Sequence, residues 1–217
     1  IPHKEAAFLA LDEATERARR LKAANTLWFE NGKLWGDNTD SIGFLANLDQ
    51  GHPGWDINAK SALILGAGGA ARAIIAGLQE RNIEKITIVN RTRERAEELA
   101  LMSGGQVAVA EWSKLSFQLE SADLVVNTTS LGMSGQPDLD LSLDPLGKNA
   151  LVTDIVYVPL ETNLLKQTRL RGNPVVDGLG MLLHQAVPGF EHWFGKRPVV
   201  TDELRHLVED HITGIRA

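Results

Sequence analysis

The chain has 217 residues, a formal net charge of −6 and no cysteine, and 43% of its residues are hydrophobic. This length and composition predict a globular protein with a sizeable core, without disulfides or thiolate metal sites. The negative charge argues against a broad basic surface for nucleic acid. No apolar run reaches the roughly 20 residues that cross a bilayer, and the start lacks a secretory signal pattern. We therefore expect a cytoplasmic protein that binds neither nucleic acid nor membrane.

The first fifty residues predict helices and a hairpin. Apolar residues recur at three- and four-residue spacing from Lys4 to Ala24, which predicts one amphipathic helix. Two short strands flank Glu30-Asn31-Gly32, a strong hairpin turn signal. A further helix is predicted to run to Leu48, with Thr39 or Asp40 as its cap.

Residues 49–60 contain glycine and proline without periodicity, so we interpret them as a linker. Beyond them, buried strands such as "SALILG", "KITIVN" and "DLVVNTT" alternate with helical segments. This alternation predicts a parallel sheet covered by helices, a Rossmann-like doubly wound α/β domain.

The segment "LILGAGGAARAII" places glycines at the turn from a strand into a helix. Glycine at Gly66, Gly68 and Gly69 permits a tight turn and lets backbone N–H groups approach a pyrophosphate. The alternative is a tight turn without a ligand. The strand before the turn and the helix after it favour a dinucleotide.

The next strand ends in Asn90-Arg91-Thr92, where NAD-binding proteins usually carry an acid. Arg91 and Arg95 can pair with a 2′-phosphate, and Asn90 and Thr92 can form hydrogen bonds with it. The alternative is a solvated helix face, in which Arg93 pairs with Glu97. The position of Arg91 at the carboxyl end of the strand favours NADP.

The segment "NTTSLGM" follows another buried strand and reaches the same crevice. Asn127 and the loop behind it either line the nicotinamide side of the cofactor or simply form a turn. The histidines show no metal-ligand spacing, and we predict no metal site.

The motifs "IPHKEAA", "NTL", "GDNTDSIGF", "GAGGAAR", "NRT", "NTTSLGM", "DIVYVPLETNLL" and "VDGLGMLLHQA" occur in this order. Taken together, the chain resembles shikimate dehydrogenase from Ile1 to about Trp193. The resemblance implies NADP-dependent reversible reduction of 3-dehydroshikimate to shikimate in aromatic amino acid biosynthesis. A quinate/shikimate dehydrogenase is an alternative, as is an NADP-binding fragment or regulatory relative without turnover.

The resemblance also implies roles for particular residues. Lys4 and Asp40 match the catalytic pair, although Lys4 alone would pass for a surface lysine and Asp40 for a helix cap. Asn25, Tyr157 and Gln185 match substrate-binding residues. Ketone reduction generates an alkoxide, which a lysine ammonium can stabilise and protonate. The sequence leaves open which member of the pair moves the proton. The predicted cofactor-binding residues are Gly66, Ala67, Gly68, Gly69, Ala70, Asn90, Arg91, Thr92, Arg95, Asn127, Thr128, Gly178 and Met181.

The predicted domains are the C-terminal part of a substrate-binding domain (1–50), a linker (51–60), an NADP-binding domain (61–195) and a C-terminal helix (196–217). Members of the family carry an earlier part of the substrate domain, with two serines that hold the substrate carboxylate. The chain begins at Ile1 without that part. We therefore expect a fragment or processed form, monomeric or homodimeric, that binds NADP but turns over shikimate poorly or not at all.

Overall fold

The structure, a computed structural model, describes residues 3–104 and 107–214. Its smaller sheet contains the strands β1 (Glu13–Ala14), β2 (Thr26–Glu30) and β3 (Lys33–Asp37). β2 and β3 form the predicted antiparallel hairpin. Its turn residues Asn31 and Gly32 have φ angles of 51° and 75°, the positive values that a two-residue type I′ turn requires. β1 lies parallel to β3, with Glu13 opposite Trp35.

The single helix predicted from Lys4 to Ala24 is wrong. The chain there forms α1 (Lys4–Leu9), then β1, then α2 (Glu16–Leu21). Thr15 follows β1 and caps α2, because its side chain accepts from the Ala18 N–H at 3.2 Å. The helical spacing of apolar residues continues through β1. Pairing with β3 nevertheless satisfies the backbone there, so tertiary structure overrides the local pattern.

The predicted linker at residues 49–60 is partly helical. α3 (Asp40–Gly51) runs past its predicted end, and α4 (Trp55–Asn58) follows it. Trp55 is 5% exposed, and its indole N–H donates to Asp49 at 3.0 Å. Arg81 forms ion pairs with both Asp49 and Asp56. The contact within the segment and those with Arg81, outside it, order residues 49–60, and the composition does not reveal them. The predicted domain limits remain predictions.

The larger sheet confirms the predicted Rossmann-like α/β fold. Its strands are β4 (Ser61–Leu65), β5 (Lys85–Val89), β6 (Val107–Ala110), β7 (Leu124–Asn127), β8 (Leu151–Asp154) and β9 (Val175–Val176). They are all parallel, in the order β6-β5-β4-β7-β8-β9. The order reverses between β4 and β7, which opens a crevice at the carboxyl ends of these strands.

Helices cover both faces of this sheet. The helices that follow β4 in the chain are α5 (Gly69–Glu80), α6 (Arg93–Ser103), α7 (Leu115–Glu120), α8 (Asn163–Leu170), α9 (Leu179–Phe194) and α10 (Asp202–Thr213), of which α10 packs on α9. Alternate residues of β4 enter separate clusters, Ala62 and Ile64 in one and Leu63 and Leu65 in the other. Burial on both faces explains the nearly continuous apolar strands. The short helix α7 was not predicted.

Ile1 and Pro2 of the first motif and residues 215–217 of the predicted C-terminal helix lie outside the described residues. Within the described part of the chain, no helix has the length and apolar character needed to span a membrane.

α3 and α9 pack closely along each other. A Cβ atom on Gly43 of α3 would lie 2.7 Å from the Gln185 Cβ and 2.7 Å from the Met181 carbonyl oxygen. A Cβ atom on Gly180 of α9 would lie 1.8 Å from the Asn47 side-chain oxygen. The missing side chains therefore allow these two helices to approach, which fixes Asp40 relative to α9.

Candidate active site

Lys4 and Asp40 form an ion pair at the edge of a cleft. The Lys4 ammonium donates to Asp40 Oδ1 at 2.7 Å and to Oδ2 at 2.6 Å. The Lys4 side chain is 30% exposed and the Asp40 side chain only 2%. Asp40 is the first residue of α3, where a carboxylate is favoured by the helix dipole. The ammonium is thus the member of the pair that is accessible from the cleft.

The backbone of Lys4 is also held in place. Its carbonyl oxygen accepts from the Ala24 N–H at 2.8 Å, just before β2. Nearby, the Arg72 guanidinium of α5 donates to the Leu21 carbonyl oxygen at 2.8 Å. Arg72 belongs to the glycine-rich motif in the sequence, but its side chain extends to the end of α2.

Asn25 contacts Asp40 from the other side. Its side-chain NH2 donates to Asp40 Oδ1 at 2.8 Å. Its oxygen accepts from the N–H of Thr39 at 3.0 Å and from the Thr39 hydroxyl at 3.1 Å. These contacts determine the orientation of the amide. Asn25, predicted to bind substrate, therefore also orders the carboxylate.

The cleft has a volume of about 560 Å³. It brings together predicted residues that are far apart in the sequence. Its lining comes from α1, β2, α3, α5 and α9 and from the loops before β2 and α3 and after β8 and β9. The predicted residues that line it are Lys4, Asn25, Asp40, Ala70, Tyr157, Gly178, Met181 and Gln185.

The glycine-rich turn connects β4 to α5. Gly66 has a φ of 108°, which favours glycine, and a Cβ there would lie 2.7 Å from the Thr128 hydroxyl oxygen. Gly68 and Gly69 are exposed, and a Cβ at either would meet no atom within 4 Å. No side chain caps the helix at Gly68. The turn therefore leaves an open cradle before the N-terminus of α5, which suits a pyrophosphate.

The residues after β5 form a second candidate region at the same edge of the sheet. Arg91 and Arg95 are exposed, and within residues 3–104 and 107–214 neither has an ion-pair partner. Arg93 differs, because it pairs with Glu97 at 2.6 Å, as predicted, and also with Glu111. Asn90 donates to the Thr92 carbonyl oxygen at 2.7 Å. Two guanidinium groups thus remain for an anionic ligand.

Asn127 and Thr128, which the sequence predicts to bind the cofactor, are both buried. Asn127 is 0% exposed, and its NH2 donates to Asp154 Oδ1 at 3.0 Å. The Thr128 hydroxyl donates to the Leu65 carbonyl oxygen at 2.8 Å. Both side chains are hydrogen-bonded within the protein, so they support the loop from its buried side.

Sequence reasoning missed Asp154, at the end of β8. Its carboxylate is 0% exposed and accepts hydrogen bonds from Asn127, Val156 and Thr162. Burial raises the pKa of the Asp154 carboxyl, and these hydrogen bonds oppose the rise. An aspartate as the last residue of a fully buried strand was the available signal.

Comparisons with known proteins support one family. The family described as Shikimate / quinate 5-dehydrogenase matches residues 49–134, and the Shikimate 5'-dehydrogenase C-terminal domain matches residues 178–200. The shikimate dehydrogenase (NADP(+)) of Azorhizobium caulinodans is 57% identical over 208 residues, which cover 96% of this chain and 74% of that protein.

Two solved structures show the same fold. The shikimate 5-dehydrogenase of Thermus thermophilus, in complex with NADP(H) and shikimate, matches with a TM-score of 0.81 and 35% identity, over 92% of this chain and 72% of that chain. The quinate dehydrogenase of Corynebacterium glutamicum, in complex with NAD, matches with a TM-score of 0.87 and 33% identity, over 95% and 75%. This chain belongs to the shikimate dehydrogenase family.

Proposed function

We propose that this chain is an NADP-dependent oxidoreductase that interconverts 3-dehydroshikimate and shikimate, a step of aromatic amino acid biosynthesis. The observation that supports this most strongly is the shared cleft. Lys4 and Asp40 line it together with Gln185 and Met181 of α9, and Ala70 of the glycine-rich turn lines it as well. A polar reaction site next to a dinucleotide cradle is the arrangement that ketone reduction requires.

NADP fits the residues present. The turn at Gly66, Ala67, Gly68, Gly69 and Ala70 would receive the pyrophosphate, since Gly68 and Gly69 leave room for it. Arg91 and Arg95 would hold the 2′-phosphate, with Asn90 and Thr92 beside them. An acid at this strand end would instead select NAD, and the chain has Asn90 there. When bound, the cofactor supplies or accepts the hydride.

The substrate would lie between Lys4 and α9. Asn25, Tyr157 and Gln185 carry the polar groups that suit a polyhydroxylated ring. Gly178 and Met181 line the part of the cleft near the loop after β9, where the nicotinamide would lie. Asn127 and Thr128 would support this site from beneath it.

Lys4 would act on the reacting oxygen. As a ketone is reduced, negative charge develops on its oxygen, and an ammonium within hydrogen-bond distance stabilises that charge and donates a proton. Asp40 has both oxygens occupied by Lys4 and Asn25 and is nearly inaccessible. We therefore assign proton transfer to Lys4 and positioning of the ammonium to Asp40.

A hydride-transfer assay with the chain near stoichiometric concentration tests this proposal, because slow transfer then still registers. Shikimate and NADP should yield NADPH, and NAD should yield much less NADH. Lys4→Ala should abolish most of the product while NADPH still binds. Absence of product from the wild-type chain, or equal product with NAD, would contradict the proposal. The multiple-turnover rate separately tests the predicted poor turnover.

Quinate in place of shikimate distinguishes the alternative predicted from the sequence. The quinate dehydrogenase cited above, solved in complex with NAD, motivates this comparison. We expect shikimate to be preferred, and a preference for quinate would favour the alternative. A chain that binds NADPH but acts on neither compound would favour a cofactor-binding relative.

A further inference from the structure

Asp154 lies at the carboxyl end of β8, between β7 and the edge strand β9 of the larger sheet. Oδ1 accepts from the Asn127 NH2 at 3.0 Å and from the Val156 N–H at 3.0 Å. Oδ2 accepts from the Thr162 hydroxyl at 2.7 Å. These donors belong to the end of β7, the loop after β8 and the cap of α8. One buried carboxylate therefore joins three segments of the chain.

The carboxylate determines how Asn127 is oriented. The Asn127 NH2 points to Asp154 and also donates to the Leu131 carbonyl oxygen at 3.2 Å. Its oxygen therefore faces Thr129, from which it accepts the backbone N–H at 3.0 Å and the hydroxyl at 2.7 Å. If the Asn127 amide were reversed, its NH2 would face the Thr129 N–H, and two donors would oppose each other. Asp154 thus orders the loop of residues 127–131, although it makes no direct contact with Thr129.

Both loops attached to Asp154 pack against proposed cofactor residues. In the first loop, Thr128 lies so close to Gly66 that a Cβ on Gly66 would be 2.7 Å from the Thr128 hydroxyl oxygen. In the second, a Cβ on Gly178 would lie 2.5 Å from the Ile155 carbonyl oxygen. Ile155 itself lines the cleft. Any movement of these loops would therefore reach the glycine-rich turn and the Gly178 region.

We propose that Asp154 is a positioning residue that holds the loops of residues 127–131 and 155–157 in place for the nicotinamide half of the dinucleotide. The inference rests on the proposed NADP function. Asp154 itself touches no ligand, because it is buried below the cleft surface. The 2′-phosphate region at Arg91 follows β5, and Asp154 makes no contact with it among the described residues.

Because Asp154 is separated from the 2′-phosphate region, two ligands can distinguish its effect on the two halves of the site. NADPH contains the nicotinamide half, whereas adenosine 2′,5′-bisphosphate contains only the adenosine and 2′-phosphate end. Asp154→Ala removes all three acceptor contacts and should weaken NADPH binding at least about tenfold, with little change for the bisphosphate. A loss of general stability would not separate the two probes in this way.

Asp154→Asn is the conservative variant. Its amide oxygen can still accept from Asn127 and Val156, and its NH2 can donate to the Thr162 hydroxyl. NADPH affinity should therefore stay within about threefold of the wild type. If Asp154→Ala does not fold, Thr162→Val removes one donor to Asp154 together with the side-chain cap of α8, and it should give a smaller loss for NADPH alone.

Asp123→Ala is the matched control. Asp123 also accepts three hydrogen bonds, from the N–H groups of Lys60 and Ser61 and from the Ser61 hydroxyl. It lies before β7, at the opposite end of the sheet. Its loss should leave the affinity for both probes unchanged.

Calorimetric titration of both probes into each folded variant tests the role of Asp154. A selective loss for NADPH that asparagine restores supports the proposal. Equal losses for both probes, or no loss in Asp154→Ala and Thr162→Val, would overturn the role of Asp154 alone. A wild-type chain that binds neither probe would overturn the proposed function, and this inference with it.

Discussion

Asn25 and Lys4 hold the same carboxylate oxygen: both donate to Asp40 Oδ1, at 2.8 and 2.7 Å. Asn25 is fixed in turn by the Thr39 N–H. The carboxylate therefore has a defined orientation before any ligand arrives. Such preorganisation is what places a catalytic ammonium at contact distance from a reacting oxygen.

Asn25→Ala should slow hydride transfer by about tenfold, because Asp40 loses one of its donors and Lys4 is held less firmly. NADPH affinity should stay nearly unchanged, since Asn25 lies on the Lys4 side of the cleft. Single-turnover kinetics and calorimetry measure the two effects. Asn58→Ala, in α4 outside the cleft, is the control. A variant that transfers hydride at the wild-type rate would show that Asn25 does not orient Asp40.

Arg91 should be the main determinant of NADP over NAD. The double variant Asn90→Asp/Arg91→Ala should weaken NADP(H) binding by about 1.5–3 kcal/mol and leave NAD(H) binding nearly unchanged. Arg93→Ala is a suitable control, because Arg93, the first residue of α6, is also exposed but is paired with Glu97. Calorimetry in which both cofactors lose equal affinity would refute this assignment.

Gly43→Ala should force α3 and α9 apart. The added Cβ would lie 2.7 Å from the Met181 carbonyl oxygen, a backbone atom that cannot move alone. We expect a loss of about 1–3 kcal/mol in the free energy of unfolding. Gly77→Ala is the control, because its nearest contact is the Leu45 side chain at 3.3 Å. Denaturant unfolding compares them, and equal stability of the two variants would contradict this packing argument.

His184 should make the protein less stable in mild acid. Burial lowers the pKa of His184 from its ordinary value of 6.5, and Asp49 partly opposes this. Below pH 6.5 the unfolded chain therefore binds more protons at this site than the folded chain does. Stability is retained above that pH and falls as the pH drops through the folded pKa. Urea unfolding of His184→Gln at several pH values should show a shallower decline, and an unchanged decline would exclude His184 as its source.

Local patterns predicted much of the fold. The buried strands around Ile64, Ile88 and Val126 are read correctly, because parallel strands covered on both faces are apolar throughout. The hairpin follows from Asn31-Gly32, two residue types that tolerate positive φ. The break between α1 and α2 could not be predicted, since it depends on pairing with β3, some twenty residues later.

The site was predicted mainly through family motifs. Lys4 and Asp40 are 36 residues apart, and spacing alone does not indicate that they meet. Asp154 was missed because its partners Asn127 and Thr162 lie 27 and 8 residues away. Asn127 was predicted to bind the cofactor, and that role stays a prediction; the sequence did not reveal that its side chain is buried and donates to Asp154.

The central claim is that Lys4 and Asp40 act as one catalytic unit, and a double-mutant cycle tests it most directly. Lys4→Ala, Asp40→Ala and the double variant would be compared with the wild type for the single-turnover rate of NADPH formation from shikimate. We expect Lys4→Ala to lower the rate by roughly two to four orders of magnitude with NADPH affinity nearly intact. The double variant should lose little more than the worse single variant. Fully additive losses would contradict the claim, because they would mean that the two residues act independently.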